Sequence, residues 1–304
     1  MITRRRFLKT LGGGAVISAA LGSYAFAIEP VLRLKETHYR LNPPRWAEGP
    51  DLKIAVLADF HVCEPWMDLN RLRSVIERTQ ALGCDLILLL GDFSAGMSFA
   101  TRHIRASEWA PLFSGLSAPL GVHAIHGNHD WWEDHSAQER MAGPTDVETA
   151  LQNIGISVLR NEALRLEHNG KAFWLAGLES QIAFPPYRRF GRTEWAGLDD
   201  LPLTLSQITD DAPVLLMAHE PDIFPQIPDR VALTLSGHTH GGQVRLLGFS
   251  PVVPSSYGNR YAYGHVIENN RNLLVSGGLG CSIMPVRFGM PPEIVVLELT
   301  GNQP

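Results

Sequence analysis

Five short apolar runs, each ending in polar side chains, constrain the fold of this chain more than any other feature. The runs are LKIAVLAD, DLILLLGD, GVHAIHGNHD, APVLLMAHE and VALTLSGHTH. They lack the apolar–polar alternation of a strand with one face in water, and such runs are typical of strands buried on both faces. Helical patterns lie between them. The sequence therefore predicts an α/β fold whose sheets are covered on both sides.

Further elements have clear start or stop signals. Asp68 can cap a helix that stops at Gly83, and Thr145 with Glu148 forms a capping box before a helix ending near Gly155. VLRLKETHYRLNPP, from Val31, predicts an edge strand followed by a turn, because two prolines end it. NLLVSGGLG and EIVVLELT predict two late strands, and residues 183–203 predict an irregular excursion near the mouth of the site.

The first 27 residues have the pattern of an export signal. Arginines precede Phe7-Leu8-Lys9, a short glycine-containing apolar stretch follows, and the segment ends in Ala25-Phe26-Ala27. Paired Arg4 and Arg5 resemble the twin-arginine motif, which implies the twin-arginine (Tat) export machinery as a partner and a periplasmic or other extracytoplasmic location. An ordinary secretory signal and an uncleaved anchor are the alternatives. We expect residues 1–27 to be the signal, 28–50 an edge strand and linker, and 51–304 the catalytic domain.

Charge and cysteine content narrow the functional classes. The signal holds four basic residues and no acid, so removing it changes the formal net charge from −5 to −9. This acidic balance argues against a broad nucleic-acid surface, which needs excess Lys and Arg. Three cysteines, Cys63, Cys84 and Cys281, are too few for a disulfide framework.

Polar side chains follow the predicted strands at the same place, the carboxyl end, where open α/β sheets bind ligands. The set is Asp59, His61, Asp92, Asn128, His129, His219, His238 and His240. Each has a simpler interpretation by itself: either aspartate could cap a helix, Asn128 could serve a turn, and His219 could be a core histidine. Because five segments supply such groups at one topological position, a shared site is favoured.

Carboxylate, imidazole and amide donors without a thiolate suit Mn, Fe or Zn, and argue against a cysteine-rich structural zinc site. Eight candidates are too many for one closed site but suit two divalent or trivalent ions that share a carboxylate. Two ions about 3.5–4 Å apart can clamp the attacking and leaving oxygens of a phosphoryl displacement.

The order D-x-H, G-D, G-N-H-D, H and G-H-x-H resembles the calcineurin-like metallophosphoesterase superfamily. Here the blocks begin at Asp59, Gly91, Gly127, His219 and Gly237, within roughly residues 52–299. LLMAHEPDIF, SGHTHGGQVRL and PVRFGMPPEIVVLEL are most similar to exported or membrane-associated bacterial phosphodiesterases of the YkuE and YaeI type. ADFH in place of a form like SDLH, and RLLG where RLP is commoner, depart from that branch without touching a ligand.

The resemblance implies a four-layer α/β/β/α sandwich with a metal site at the carboxyl ends of the strands. It assigns Asp59, His61 and His240 to one metal, and Asn128, His219 and His238 to the other. Asp92 would bridge the two ions, and a bridging hydroxide would attack phosphorus. His129 would protonate the leaving group or stabilise charge.

Three further residues are weaker candidates. Asp130 could orient His129 or serve only a turn. Arg287 and Gln243 could bind substrate phosphate, although a surface arginine and a loop-bracing glutamine are alternatives.

The predicted function is hydrolysis of a phosphodiester in a small molecule, lipid or wall polymer. A membrane-surface hydrolase of a lipid pyrophosphate or phospholipid headgroup is an alternative, which an apolar rim near FPPYRRF and PWMDL would favour. Peripheral membrane association would accompany it. A phosphomonoesterase, a cytoplasmic phosphoprotein phosphatase and a non-catalytic scaffold are further alternatives.

Overall fold

A computed structural model describes residues 16–187 and 191–301 of the chain. Two six-stranded sheets form its centre. The first has the order β1 (Lys35–Leu41), β14 (Glu293–Leu299), β2 (Leu52–Leu57), β4 (Leu86–Leu89), β6 (Val122–Ala124) and β7 (Ser157–Val158). The second has the order β12 (Gly264–Glu268), β13 (Arg271–Val275), β11 (Val231–Ser236), β10 (Val214–Met217), β9 (Lys171–Gly177) and β8 (Glu162–His168). A small pair joins β3 (Cys63–Glu64) to β5 (Arg102–His103).

The two sheets pack face to face, and alternate side chains along each strand form the core between them. In β2, Ile54 and Val56 belong to the core between the sheets, whereas Ala55 and Leu57 belong to the core on the other face. Because successive side chains point to opposite faces, a strand that is apolar at every position must be covered on both sides. The continuous apolar runs of the sequence therefore became the central strands.

Helices cover the outer faces of both sheets. They are α1 (Leu69–Ala81), α2 (Ala106–Trp109), α3 (Asn128–Trp132), α4 (His135–Arg140), α5 (Asp146–Gln152) and α6 (Leu201–Ser206). Leu72, Val75 and Ile76 of α1 pack in the outer core of the first sheet. The outer face of the second sheet packs against Leu201 and the 3₁₀ helix Pro221–Gln226. The predicted four-layer sandwich is confirmed.

Both predicted helix starts are confirmed by their caps. The Asp68 carboxylate accepts a hydrogen bond from the Arg71 amide at 2.8 Å, and the Thr145 hydroxyl accepts one from the Glu148 amide at 3.0 Å. These bonds satisfy amides that the first helical turn leaves without a partner. The second helix ends at Gln152, earlier than the expected end near Gly155.

One predicted edge strand is confirmed, although it begins at Lys35 and not at Val31, because Glu29–Leu32 is helical, and one hairpin was missed. β1 pairs in parallel with β14 alone and forms the edge of the first sheet. The antiparallel hairpin of β8 and β9 was missed, although β8 alternates polar and apolar side chains and the Asn169-Gly170 turn follows it, and both are signals of a hairpin. No helix among residues 16–187 and 191–301 has the length and apolar character needed to cross a membrane.

Residues 16–32 are helical and include a π-helical turn, Tyr24–Ile28. The helix runs through Ala27 and Ile28, where the signal was expected to end. Ala25 is buried, its carbonyl oxygen accepts from the Arg287 amide at 2.9 Å, and the buried Glu29 carboxylate accepts from the Met290 amide at 2.6 Å. The signal and its boundary stay predictions, and Arg4 and Arg5 lie outside the described residues.

Candidate metal centre

The candidate ligands come from loops that follow five strands of two different sheets. Asp59 and His61 follow β2, Asp92 follows β4, and Asn128 follows β6 in the first sheet. His219 follows β10, while His238 and His240 follow β11 in the second. All of them lie at the carboxyl ends of their strands, so the face-to-face packing brings the two sets together.

A first group of donors contains Asp59, His61 and His240. The Nε2 atoms of His61 and His240 lie 3.0 Å apart, and Nε2 of His240 lies 3.4 Å from Oδ1 of Asp59. Nδ1–H of His61 donates to the Ser94 carbonyl at 3.0 Å, which leaves Nε2 with its lone pair toward the group. These three residues are the ones assigned to the first metal.

A second group contains Asp92, His219 and His238, and Asn128 joins it. Oδ1 of Asn128 lies 2.8 Å from Nδ1 of His238, and Nε2 of His219 lies 3.2 Å from Oδ2 of Asp92. Nδ1–H of His219 donates to the Leu90 carbonyl at 2.5 Å, so its Nε2 also faces the group. The same Asp92 oxygen lies 3.5 Å from Nε2 of His61 in the first group. Asp92 therefore stands between the groups, as a bridging ligand must.

One buried atom shows that the donor set fits metal ions. Oδ2 of Asp59 has no hydrogen-bond partner, although the residue is wholly buried. A buried acceptor without a partner costs free energy, and a bound cation would satisfy this atom. The imidazole and carboxylate donors suit Mn, Fe or Zn.

The backbone around the ligands is strained. Five ligand residues adopt positive φ angles: Asp59 at 56°, His61 at 45°, Asp92 at 55°, His238 at 68° and His240 at 51°. Non-glycine residues rarely adopt this conformation, and it persists only where the surrounding structure enforces it. A Cβ at Gly237 would lie 2.7 Å from Oδ2 of Asp59, so a glycine is required where the loop after β11 passes the loop after β2.

Burial and neighbouring charges prepare the ligands for cations. Burial lowers the pKa of His61 to about 3 and of His238 to about 4, so both imidazoles are neutral, the form that binds metal. Burial raises the pKa of Asp59 to about 7. At His219 burial opposes the charge, but the carboxylates of Asp92 and Asp59 outweigh it and raise the pKa. Metal binding at these two residues must therefore displace protons near neutral pH.

His129 lies beside the donors without belonging to either assigned set. Its ring packs at 4.9 Å between centroids against His61 on one side and Trp132 on the other. Nδ1–H donates to Oε1 of Glu133 at 3.3 Å, and Nε2 lies 3.3 Å from the Ser282 hydroxyl. Burial opposes protonation of His129, but Asp92 and the hydrogen bond to Glu133 outweigh it and raise the pKa. A protonated His129 is available to donate from Nε2.

Asp130 does not contact the His129 ring through a hydrogen bond, so the expected orienting role falls to Glu133. The Asp130 carboxylate accepts from the amides of Asp92, Phe93 and Ser94 at 2.8–3.0 Å, and from the Gly127 amide at 2.9 Å. Asp130 thereby ties the loop after β4 to the loop after β6. Sequence reasoning missed Glu133, although its spacing of four from His129 on a helix could have indicated it.

Of the two expected phosphate-binding residues, Gln243 lines the cavity beside the donor groups and Arg287 does not, so substrate binding by Gln243 stays a prediction. Arg287 is wholly buried, and its guanidinium donates to the carbonyls of Gly277, Gly280 and Met290. Nη2 lies 3.2 Å from Nδ1 of His240, so Arg287 supports a ligand rather than facing the cavity. The Gln243 amide bonds the backbone of Ser282 and Met284, which matches the loop-bracing alternative.

A cavity of about 480 Å³ opens beside the second donor group. Its lining includes Asp92, Asn128 and His129, together with His238 and His240. The remaining wall is mainly apolar and includes Trp132, Val244, Pro251, Val252, Pro254, Ile283, Met284 and Val286. The segments FPPYRRF and PWMDL contribute none of its described lining residues, so the apolar wall comes from residues 244–254 and 283–286 instead. A phosphoester carrying an apolar group fits this arrangement.

The chain belongs to the calcineurin-like phosphoesterase family, whose sequence pattern matches residues 52–242. The family uses a dinuclear metal centre, and the two donor groups supply the side chains for one. The protein is therefore a metal-dependent phosphoester hydrolase.

Similar proteins span the whole chain. An uncharacterized metallophosphoesterase of Bacillus subtilis, YkuE, is 30% identical over 99% of both chains. The phosphodiesterase YaeI of Escherichia coli is 29% identical over 98% of this chain and 100% of its own. The crystal structure of a dimetal phosphatase from Danio rerio matches 76% of this chain and 88% of its own, with 12% identity and a TM-score of 0.40.

Proposed function

We propose that the protein is an exported phosphodiesterase with two metal ions. The observation that carries the catalytic part is the pair of donor groups joined by Asp92, with His129 beside them. Asp59, His61 and His240 would hold one ion, Asn128, His219 and His238 the other, and Asp92 would contact both. When bound, two such ions activate water and offset the negative charge of a phosphoryl group.

The chain's own residues would complete the reaction. His129, with Glu133 at Nδ1, would hold its proton at Nε2 for the oxygen of the departing group. Asp130 would keep Asp92 and Asn128 in register through the backbone of their loops. The apolar wall of the cavity would exclude water around the ester substituent.

Diester specificity rests on two observations. YaeI, 29% identical over nearly the whole chain, carries the name phosphodiesterase. The cavity leaves space beyond the metal donors for a second ester substituent, which a phosphomonoester lacks.

Export rests on the sequence of residues 1–27. Their paired arginines, apolar stretch and small residues at the end support the twin-arginine route and an extracytoplasmic location. Under this proposal the export machinery is a partner, and the substrate is a phosphodiester outside the cytoplasm. A lipid headgroup is a second candidate substrate, because the apolar wall of the cavity suits a lipid-linked ester.

A paired rate assay tests the proposal. The manganese-loaded protein is given an aryl phosphodiester and the matching aryl phosphomonoester, with Asp92→Asn as the control that should lose both metals. Faster diester hydrolysis is expected. Faster monoester hydrolysis would make the protein a phosphomonoesterase, and no hydrolysis of either would favour the scaffold alternative.

A further inference from the structure

One part of the cavity beside the metal donors is aromatic, whereas the rest of its apolar wall is aliphatic. Trp132 is the one Trp, Tyr or Phe among the described residues that line this cavity. Valine, proline, isoleucine and methionine side chains supply the remaining apolar surface. An aromatic surface selects different ligands from an aliphatic one, because two rings attract each other in stacked and edge-to-face geometries that an alkyl group cannot adopt.

Trp132 lies directly beside the residue that would protonate the leaving oxygen. It follows His129 by three positions on α3, and the two ring centroids lie 4.9 Å apart with their planes inclined at 56°. Nδ1 of His129 is bonded to Glu133, so Nε2 is the atom left for the substrate. A substituent that contacts the Trp132 ring is therefore carried on the oxygen near His129, which is the leaving oxygen.

The Trp132 ring is held in place, and its polar atom is already bonded within the protein. Nε1–H donates to the Ile182 carbonyl at 2.7 Å. The side chain also packs against a small apolar cluster that includes Trp131 and Phe184. The indole therefore offers a ligand only carbon atoms in a fixed orientation, so it selects by shape and aromatic character and not by hydrogen bonding.

A second tryptophan continues the aromatic surface beyond the cavity lining. The ring centroid of Trp195 lies 5.6 Å from that of Trp132, and Trp195 is 54% exposed. Phe184 and Ala196 exchange two backbone hydrogen bonds of 2.9 Å, which fix the segment that carries Trp195. A continuous aromatic surface that starts in a cavity and extends outward indicates a site for a flat apolar group.

We propose that Trp132 and Trp195 bind a planar aromatic ring on the leaving group of the substrate. This inference rests on the proposed function, because it names the substituent that the phosphodiester would carry. Trp132 would contact a ring close to the leaving oxygen, and Trp195 would contact the outer part of a larger group.

This surface distinguishes an aromatic ester from an alkyl ester. A cyclohexyl group should bind an aliphatic wall at least as well as a phenyl group, because it carries more apolar hydrogen-bearing surface. A phenyl group gains ring contact in addition to burial, typically equivalent to about 2- to 10-fold in affinity. Preference for phenyl over cyclohexyl is therefore the signature expected of Trp132.

Binding of two phosphonates tests the proposal without depending on catalysis. The probes are benzylphosphonate and cyclohexylmethylphosphonate, in which a methylene group takes the place of the ester oxygen and prevents hydrolysis. Titration calorimetry on the manganese-loaded full chain gives a dissociation constant for each probe. We expect the parent to bind benzylphosphonate about 2- to 10-fold more tightly than cyclohexylmethylphosphonate.

Two substitutions separate the ring from the fold. Trp132→Leu should abolish the preference and leave the affinity for cyclohexylmethylphosphonate nearly unchanged. Trp132→Phe also loses the hydrogen bond to Ile182 but keeps a ring, so it should retain the preference. Tyr257→Leu is the control, because Tyr257 is 38% exposed, packs against Tyr261 and does not line the cavity.

Three results would overturn the proposal. The first is a parent that binds neither probe or lacks the preference. The second is a preference that survives in Trp132→Leu. The third is loss of the preference in Trp132→Phe, since its source would then be the hydrogen bond to Ile182 and not the ring.

A nucleoside and a phenol both supply a planar ring, and a second pair of probes distinguishes them. Adenosine monophosphate carries its ring beyond a ribose, and ribose phosphate lacks the aromatic ring. Tighter binding of adenosine monophosphate, weakened by Trp195→Leu, would identify a nucleoside as the leaving group. Equal binding of the two, together with the preference for benzylphosphonate, would identify a phenolic ester.

Hydrolysis of an aryl diester by the same parent protein separates the two proposals. Preference for benzylphosphonate without hydrolysis of the diester would refute the proposed function and leave the aromatic site intact. Hydrolysis of the diester without the preference would refute the aromatic site alone.

Discussion

At the scale of single residues, His129 is expected to act on the leaving group and not on the metals. His129→Ala should keep both ions and lose about 10²–10⁴-fold in rate, the usual contribution of a general acid. Metal analysis and steady-state kinetics on the same sample measure both quantities. His38→Ala, at an exposed histidine of β1, is the control. Loss of metal from His129→Ala would contradict the assignment.

Glu133 is expected to position His129. Glu133→Gln should slow hydrolysis by up to about 10²-fold, and the effect should grow as the leaving group becomes more basic, because only a poor leaving group needs the proton. Gly96→Ala should give the same signature. Its Cβ would lie 2.7 Å from Nδ1 of His129 and against the Glu133 carboxylate.

Kinetics with a series of aryl diesters measure this dependence on the leaving group. Glu77→Gln, on the exposed face of α1, is the control. Equal slowing of all substrates would mean that Glu133 serves only the fold.

Residue identities alone indicated the ligands but not their neighbours. Asp59 and His240 could be predicted as ligands, because carboxylates and imidazoles that follow several buried strands are together hard to explain except by a shared site. The burial of Arg287 could not, since its carbonyl partners belong to backbone whose path depends on the whole fold. The positive φ angles of five ligand residues could not be predicted from the sequence either, because glycine is the residue that usually indicates such a conformation.

At the scale of elements, replacing Asp130 should lower the free energy of unfolding, whereas replacing His129 should not. Asp130→Ala would leave four amides without an acceptor, three of them in buried hydrogen bonds, and each buried group costs about 1–3 kcal/mol. We expect the free energy of unfolding to fall by at least about 3 kcal/mol, measured by urea denaturation. Asp130→Asn, which keeps one acceptor oxygen, should lose less. Unchanged stability in Asp130→Ala would contradict the role of a tie between loops.

Elements with local signals could be predicted from the sequence, although one such element was missed. The helix after Asp68 has its cap in sequence and its apolar face at helical spacing. The hairpin of β8 and β9 also has a local signal, the Asn169-Gly170 turn after an alternating strand, so its absence from the prediction has no physical reason. The irregular excursion predicted for residues 183–203 ends earlier than expected, because α6 begins at Leu201. Asp200 caps this helix, and its first turn contains a proline.

At the scale of the whole molecule, metal binding should depend on pH. Burial raises the pKa of Asp59 to about 7, and nearby carboxylates raise that of His219. Both groups therefore hold a proton more firmly than a free side chain and must release it to bind metal, so the affinity for manganese should rise with pH through neutrality.

Titration calorimetry at several pH values, in buffers of different ionisation enthalpy, measures both affinity and proton release. Asp59→Asn should bind manganese more weakly at the first metal site. Its manganese affinity should also depend less on pH, because the titrating carboxyl group is gone. Affinity that is constant between acid and neutral pH would contradict the protonation of these ligands.

The position of β14 has a consequence for biosynthesis. This strand consists of residues 293–299, yet it lies inside the first sheet, between β1 and β2. Until a ribosome has produced these residues, β2 lacks its neighbour on one side, and Asp59 follows β2 at its carboxyl end. We therefore expect the first donor group to be completed only after residues 293–299 have folded against β2.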